Sequence, residues 1–297
     1  MKPWIGLSLL LAALGIGLIG PALQASRSDV MYRDQVAVLM YHHVDETAES
    51  SSTITPQLFR SQLETLKRLN YHFITLEQFS AFMDGSGEVP PNAALVTFDD
   101  GYESFYTKAY PILRELRVPA VNYIITGTLE HPKETYIPSL SRDELRAMRK
   151  ESPELVSFGC HTDSMHGKLD NGDAIMTGRI TRGDGSPETE DTYRERVLLD
   201  TKQCLQKLGE LEAGGSDTLA YPFGITNRQA SAIVGDAGVR YAFTITPEMA
   251  VPGVDPLRIP RINAGSPNIS PEGLHKTITR RIVRVPEQLK SKAHAGG

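Results

Sequence analysis

The chain has 297 residues, 40% hydrophobic and 23% charged, which is ample material for a core and unlike a disordered composition. A formal charge of −5, with 31 Lys and Arg against 36 Asp and Glu, excludes a protein built to grip phosphate backbones and sets nucleic acid aside as a partner. The one basic run, 276–284, reads as a solvated face.

In chain order, Lys2 precedes an apolar stretch over 4–23 that is broken only by small residues and Pro21, with Ala22 and Ala25 just before Ser26. This is an export segment, expected over 1–25 as a signal peptide or a membrane anchor. It places the remainder outside the cytoplasm, secreted or held at the cell surface, and makes the N-terminus the route of any membrane or cell-wall association. A linker, 26–35, follows.

Residues 36–40 (VAVLM) form an apolar run too short for a helix and suited to a strand buried on both faces. Thr55 and Pro56 then read as N-cap and first helical residue, with Phe59, Leu63, Leu66 and Leu69 as the helical stripe. Thr75 with Gln78, and Ser141 with Glu144, have capping-box spacing at two more helix starts. Further strands are predicted at 94–98, 120–125, 156–159, 218–221 and 241–245, and helices at 106–116, 142–150, 192–208 and 227–237. Strand and helix alternate, which implies a largely parallel sheet with helices outside it, closed or partly closed as a barrel. Residues 168–190, rich in Gly, Asp, Ser and Thr, read as an exposed excursion and 291–297 as a flexible tail.

Barrels of this kind build their sites on the loops that follow the strands. Tyr41-His42-His43, Asp99-Asp100-Gly101, His161 and Tyr221-Pro222-Phe223-Gly224 each follow a predicted strand, so they converge on one face. Two adjacent carboxylates at a strand end need a cation, a proton or strong hydrogen bonds; alone, Asp99-Asp100-Gly101 reads first as an ordinary solvated turn. His161 and His166 would lie about 140° apart around a helix, so only a turn brings them together. Two imidazoles and a carboxylate leave an open position on a divalent ion. Cys160, beside His161, reads as a buried small hydrophobe, with a bond to Cys204 as the alternative in an oxidising compartment.

TFDDGY at 97–102, HTDSMH at 161–166 and YPFG at 221–224 resemble, in type and order, the motifs of the polysaccharide deacetylase family, also called the NodB-homology or carbohydrate esterase 4 group. The resemblance implies an α/β fold, a distorted and incomplete (β/α) barrel, with a catalytic domain over 36–290. It implies that Asp99 is the general base and that Asp100, His161 and His166 bind one divalent metal, Zn²⁺ first, with Co²⁺, Ni²⁺, Mn²⁺ or Fe²⁺ also suited to the donors. The partner it implies is an N-acetylated polysaccharide. VLMYHHV and the five-residue His spacing are similar to the branch acting on poly-β-1,6-N-acetylglucosamine of biofilm matrices; peptidoglycan and chitin oligosaccharides are the alternative substrates. A catalytically weak carbohydrate-binding protein, or an amidase for a non-sugar substrate, are readings of other classes.

Tyr102, Tyr221 and Phe223 are expected in a sugar-binding wall, and Tyr221 to Gly224, with Pro222, in a backbone oxyanion pocket. Two departures from the family pattern stand out. Its third motif often carries an Arg two residues before the Pro, where this chain has Ala220, so Arg258 or Arg261 is expected to orient Asp99. A late Leu-x-x-His is missing as well: His275 has the wrong spacing and reads as a surface helix residue, while His42 is expected at the site as an acid, a substrate contact or a satisfied structural residue.

Overall fold

The computed structural model describes residues 30–211 and 216–284; the export segment and the C-terminal tail expected above lie outside these. The first strand, β1 (Val36–Tyr41), is buried along its whole length. Alternate side chains go to opposite faces: Val36 and Val38 join an inner cluster, while Ala37, Leu39 and Tyr41 join the larger cluster beneath the helices. This two-sided burial explains the unbroken apolar run. A short parallel ribbon, β2 (His43–Val44) with β3 (Thr53–Ile54), leads to α1 (Pro56–Arg68), whose N-terminus is capped by the Thr55 side chain.

After β4 (His72–Phe73) comes α2 (Leu76–Asp84), opened by the Thr75–Gln78 capping box. Its Phe79 and Phe82 enter the inner cluster, and its Ser80 carbonyl accepts a bond from Tyr241 at 3.1 Å, so α2 closes the end of the sheet where the strands begin. Next are β5 (Ala93–Phe98), α3 (Tyr110–Leu116), β6 (Ala120–Ile124), α4 (Arg142–Glu151), β7 (Val156–Cys160) and α5 (Glu190–Glu210). The chain continues through β8 (Thr218–Ala220), α6 (Arg228–Asp236), β9 (Tyr241–Phe243), β10 (Ile262–Asn263) and α7 (Pro271–Thr279). The helix expected over 106–116 begins as a π-helical turn, Phe105–Ala109, because Pro111 has no N–H and its ring crowds the preceding turn.

Among the described residues eight strands form one parallel sheet, β10-β1-β5-β6-β7-β8-β9, with β4 also on β5. The outermost strands share no ladder. Irregular chain bridges them: Ile259 exchanges backbone bonds of 2.8 Å with Ala242 and Thr244 of the β9 region, and β10 then pairs with β1. The barrel is therefore incomplete, as expected.

Two readings are corrected. Residues 168–190 are not merely exposed, since Ala174, Met176 and Glu188 are buried, and Glu188 is paired with Arg196 of α5. Cys160 and Cys204 form a disulfide joining β7 to α5, rather than serving as separate small hydrophobes.

Candidate functional site

The strand ends place the acidic pair. Asp100 and Gly101 both take positive φ, 72° and 67°, a conformation Asp tolerates and Gly adopts freely. This turn sends the neighbouring carboxylates in different directions. Asp99 meets Arg261 below, and Asp100 meets the two histidines above.

Arg261 is fully buried and grips Asp99 through two bonds of 2.7 Å, Nη1 to Oδ1 and Nη2 to Oδ2. Its own position is fixed by Nε donating to the Thr244 carbonyl at 2.8 Å. Burial works to raise the Asp99 pKa, but Arg261, aided by His161, outweighs it and holds the carboxyl below its ordinary range. Arg261 thus stands against Asp99, where Ala220 has no charged side chain to offer. Arg258 does not: its side chain is exposed.

Asp100 Oδ1 lies 3.2 Å from His161 Nε2 and 3.2 Å from His166 Nε2. His161 is fixed on its other side by Nδ1, 2.7 Å from the Ala220 carbonyl. A carbonyl only accepts, so Nδ1 carries the proton and, in the neutral ring, Nε2 presents a lone pair. A lone-pair nitrogen facing a carboxylate oxygen is repelled unless positive charge enters between them. Burial opposes charge on His161, yet Asp100 and Asp99 outweigh it and raise the imidazole pKa. The donor set therefore fits a divalent cation, and the ligand atoms of Asp100, His161 and His166 all lie within 4.8 Å of one another.

A cleft of about 450 Å³ opens over these groups, lined also by His42, His43, Tyr102, Ile137, Phe223 and Ile245. His42 Nε2 is 3.9 Å from Asp99 Oδ2, and among the described residues its buried Nδ1 has no hydrogen-bond partner, which sets it apart from a satisfied structural histidine. His43 bonds Ser104 Oγ at 2.8 Å and packs edge-on to Tyr102. Burial, together with the Asp100 carboxylate, raises the Tyr102 phenol pKa. His275, by contrast, sits on α7 with Nδ1 3.0 Å from the Tyr71 hydroxyl.

The YPFG segment is only partly as expected. Strand alternation turns Ala220 inward and Tyr221 outward, so the Tyr221 ring is buried under the helices with its hydroxyl donating to the Leu257 carbonyl at 2.9 Å. It is not part of a sugar-binding wall, and buried Pro222 does not line the cleft either. The Tyr221 amide donates to Phe243 and the Gly224 amide to Tyr221. Those two amides are thereby spent, and Pro222 has none, which leaves the motif's donor at Phe223. Phe223, at φ 58°, lays its ring beside His166 at 4.9 Å between centroids.

His43 was placed on this face in Tyr41-His42-His43 without a role of its own, and Ile137 and Ile245 were not singled out in the sequence. His43 carried a signal, being next to His42 after β1; the two isoleucines come from loops with no motif.

The polysaccharide deacetylase family model matches residues 86–242, more than half of the chain. The chain belongs to the polysaccharide deacetylase family. The match includes both acids and both histidines, while His42 and Arg261 lie outside it. Like other polysaccharide deacetylases, the protein is a hydrolase. A poly-β-1,6-N-acetyl-D-glucosamine N-deacetylase from Staphylococcus aureus (strain MRSA252) is 28% identical over 211 residues, covering 71% of this chain and 67% of that protein. Among solved structures, a de-N-acetylase from Aggregatibacter actinomycetemcomitans superposes with TM-score 0.73 at 21% identity, covering 82% of this chain and all of the other. A Streptococcus pyogenes deacetylase in complex with acetate gives TM-score 0.67 at 24% identity over 83% of this chain and 99% of its own. At these identities the structural likeness carries the fold.

Proposed function

We propose that this polysaccharide deacetylase removes N-acetyl groups from poly-β-1,6-N-acetylglucosamine outside the cytoplasm, releasing acetate and leaving free amines, with its catalytic domain over residues 36–290. The observation that carries the reading is the division of labour at 99–100: one carboxylate locked to a buried arginine, its neighbour facing two imidazole nitrogens. The substrate rests on the staphylococcal relative. The location is supported by the apolar N-terminal sequence and by the Cys160–Cys204 disulfide, a bond that persists in oxidising compartments. Among the described residues no helix is long and apolar enough to cross a membrane.

Asp100, His161 and His166 would hold the metal, Zn²⁺ first, with Co²⁺, Ni²⁺, Mn²⁺ and Fe²⁺ compatible with the same donors. When bound, the ion supplies Lewis acidity towards the acetyl carbonyl and lowers the pKa of water in the cleft. Asp99 accepts the proton of the attacking water. Arg261 keeps that carboxylate ionised and aimed. The Phe223 amide is the motif's donor for the developing oxyanion. As the C–N bond breaks, the departing nitrogen needs a proton, and His42, lining the cleft beside Asp99, is placed to donate it. Tyr102 and Phe223 offer the cleft's aromatic surface to a pyranose ring.

Of the two departures that favour a catalytically weak binding protein, the missing late His remains, while Arg261 against Asp99 offsets the arginine missing at 220. Acetate release from defined oligosaccharides in the presence of each metal is the test. Release from β-1,6-linked N-acetylglucosamine, and little from β-1,4-linked chitin oligomers or peptidoglycan, is expected. The reverse preference would overturn the substrate assignment, and binding without acetate release under every metal would overturn the activity.

A further inference from the structure

Four residues separate His161 from His166, too many for the two ligands to hold each other in place. Between them, Thr162 takes a left-handed backbone, φ 71°, so the loop cannot be a continued strand or a helix. Its shape is imposed from outside, on one side by the Thr126 and Gly127 amides, which donate to the Thr162 and Asp163 carbonyls at 3.1 and 2.9 Å, and on the other by α5.

On that helix Arg196, Asp200, Cys204 and Lys207 fall within an arc of about 80° at 3.6 residues per turn. Each grips a different point of β7 or of the loop. Cys204 is bonded to Cys160, the residue before His161. The Asp200 carboxylate accepts two consecutive backbone amides, Asp163 N–H at 2.9 Å and Ser164 N–H at 2.7 Å. Lys207 Nζ lies 2.8 Å from Asp163 Oδ1, which also accepts from Thr126 Oγ1 at 2.6 Å. Arg196 Nη1 lies 3.2 Å from the sulfur of Met165, the residue before His166, and its guanidinium is itself held by Glu188.

We infer that this face of α5 sets the geometry of the metal site, and that Asp200 and Lys207 are its positioning residues: they touch no ligand atom but fix the loop that aims His161 and His166. The inference rests on the reading of Asp100, His161 and His166 as metal ligands. A carboxylate taking two successive amides through both oxygens is matched poorly by any other side chain. Asn offers one acceptor oxygen and turns an N–H₂ group towards the second amide, so one loop N–H loses its partner. Residues that support metal ligands from behind typically change metal affinity by about 10–100-fold when altered.

The test is titration of the metal-free full chain with Co²⁺, followed by its visible absorption, for wild type, Asp200→Asn, Lys207→Gln and His161→Ala. Thermal unfolding of each metal-free protein is recorded alongside. The expected result is about 10-fold or more weaker Co²⁺ binding by folded Asp200→Asn, with an altered absorption band, and a smaller weakening by Lys207→Gln. A purely structural role would lower the unfolding temperature and leave affinity and band unchanged in the folded protein, which would overturn the inference. Should Asp200→Asn not fold, Lys207→Gln decides, and wild-type affinity there overturns it. Failure of the underlying reading looks different: wild type and His161→Ala would then bind Co²⁺ equally, or neither would bind.

Discussion

Arg261 and Asp99 form a fully desolvated ion pair whose removal has calculable consequences. In Arg261→Met the apolar stem is roughly retained, but the two 2.7 Å bonds to Asp99 are lost, and a carboxylate that is only 3% exposed is left without its guanidinium. Breaking a buried pair by deleting one partner costs about 3–5 kcal/mol, a large share of the roughly 5–15 kcal/mol by which folded domains are stable. Deleting both charges leaves no uncompensated ion, so Asp99→Asn/Arg261→Met is expected to be clearly more stable than the sum of the two single losses predicts. The coupling should reach at least about 2 kcal/mol, within the upper range for residues in direct contact. Urea unfolding of the four proteins supplies the cycle. Activity separates the residue's two contributions: Arg261→Lys keeps a charge but loses the planar fork, and is expected to fold better than Arg261→Met while still losing much of kcat, because the base is no longer aimed. Additive stabilities in the cycle, or wild-type kcat in folded Arg261→Met, would refute the reasoning.

Two further outcomes follow from the same geometry. Asp99→Asn is expected to retain Zn²⁺ or Co²⁺ yet lose about 10²–10⁴-fold in acetate release, the range supplied by a positioned base, whereas His161→Ala loses metal and activity together; measurable metal loss in Asp99→Asn would contradict the division of roles. Replacing Cys160 and Cys204 together by Ala opens a link with a sequence separation of 44 and is expected to lower stability by about 4 kcal/mol on the chain-entropy scale, read by urea unfolding with and without reductant; equal stability of the oxidised and double-Ala proteins would remove the disulfide from the account.

What the sequence revealed depended on whether the physical cause was local. The barrel strands were legible because burial on both faces leaves an unbroken apolar run, as in 36–40, and the helix starts because Thr55, Thr75 and Ser141 cap their own turns. The two-residue strands β4 and β10 are too short to show any period, yet β10 brings the chain back beside β1 just after Arg261. Tyr221 was misassigned for a related reason: the motif showed that a turn follows β8 but not which way the last strand residue faces, and a one-residue change of phase moves a ring from cleft to core.

The deeper limit concerns charges that act at a distance along the chain. Arg258 and Arg261 were indistinguishable in Leu257-Arg258-Ile259-Pro260-Arg261, since both flank apolar residues and both are three or fewer residues from a proline. What separates them is that Ile259 bonds β9 on one side of the turn, which leaves Arg258 outside and carries Arg261 inward beneath Asp99, 162 residues earlier. Asp200 and Lys207 illustrate the same limit. On the sequence they are ordinary polar positions of an amphipathic helix, and only the path of the loop after His161 gives their charges something to hold. The three residues proposed as metal ligands stood out because their chemistry is unusual for a strand end; those proposed to aim them use the commonest interactions in proteins, and so are visible only when the two ends of the interaction are seen together.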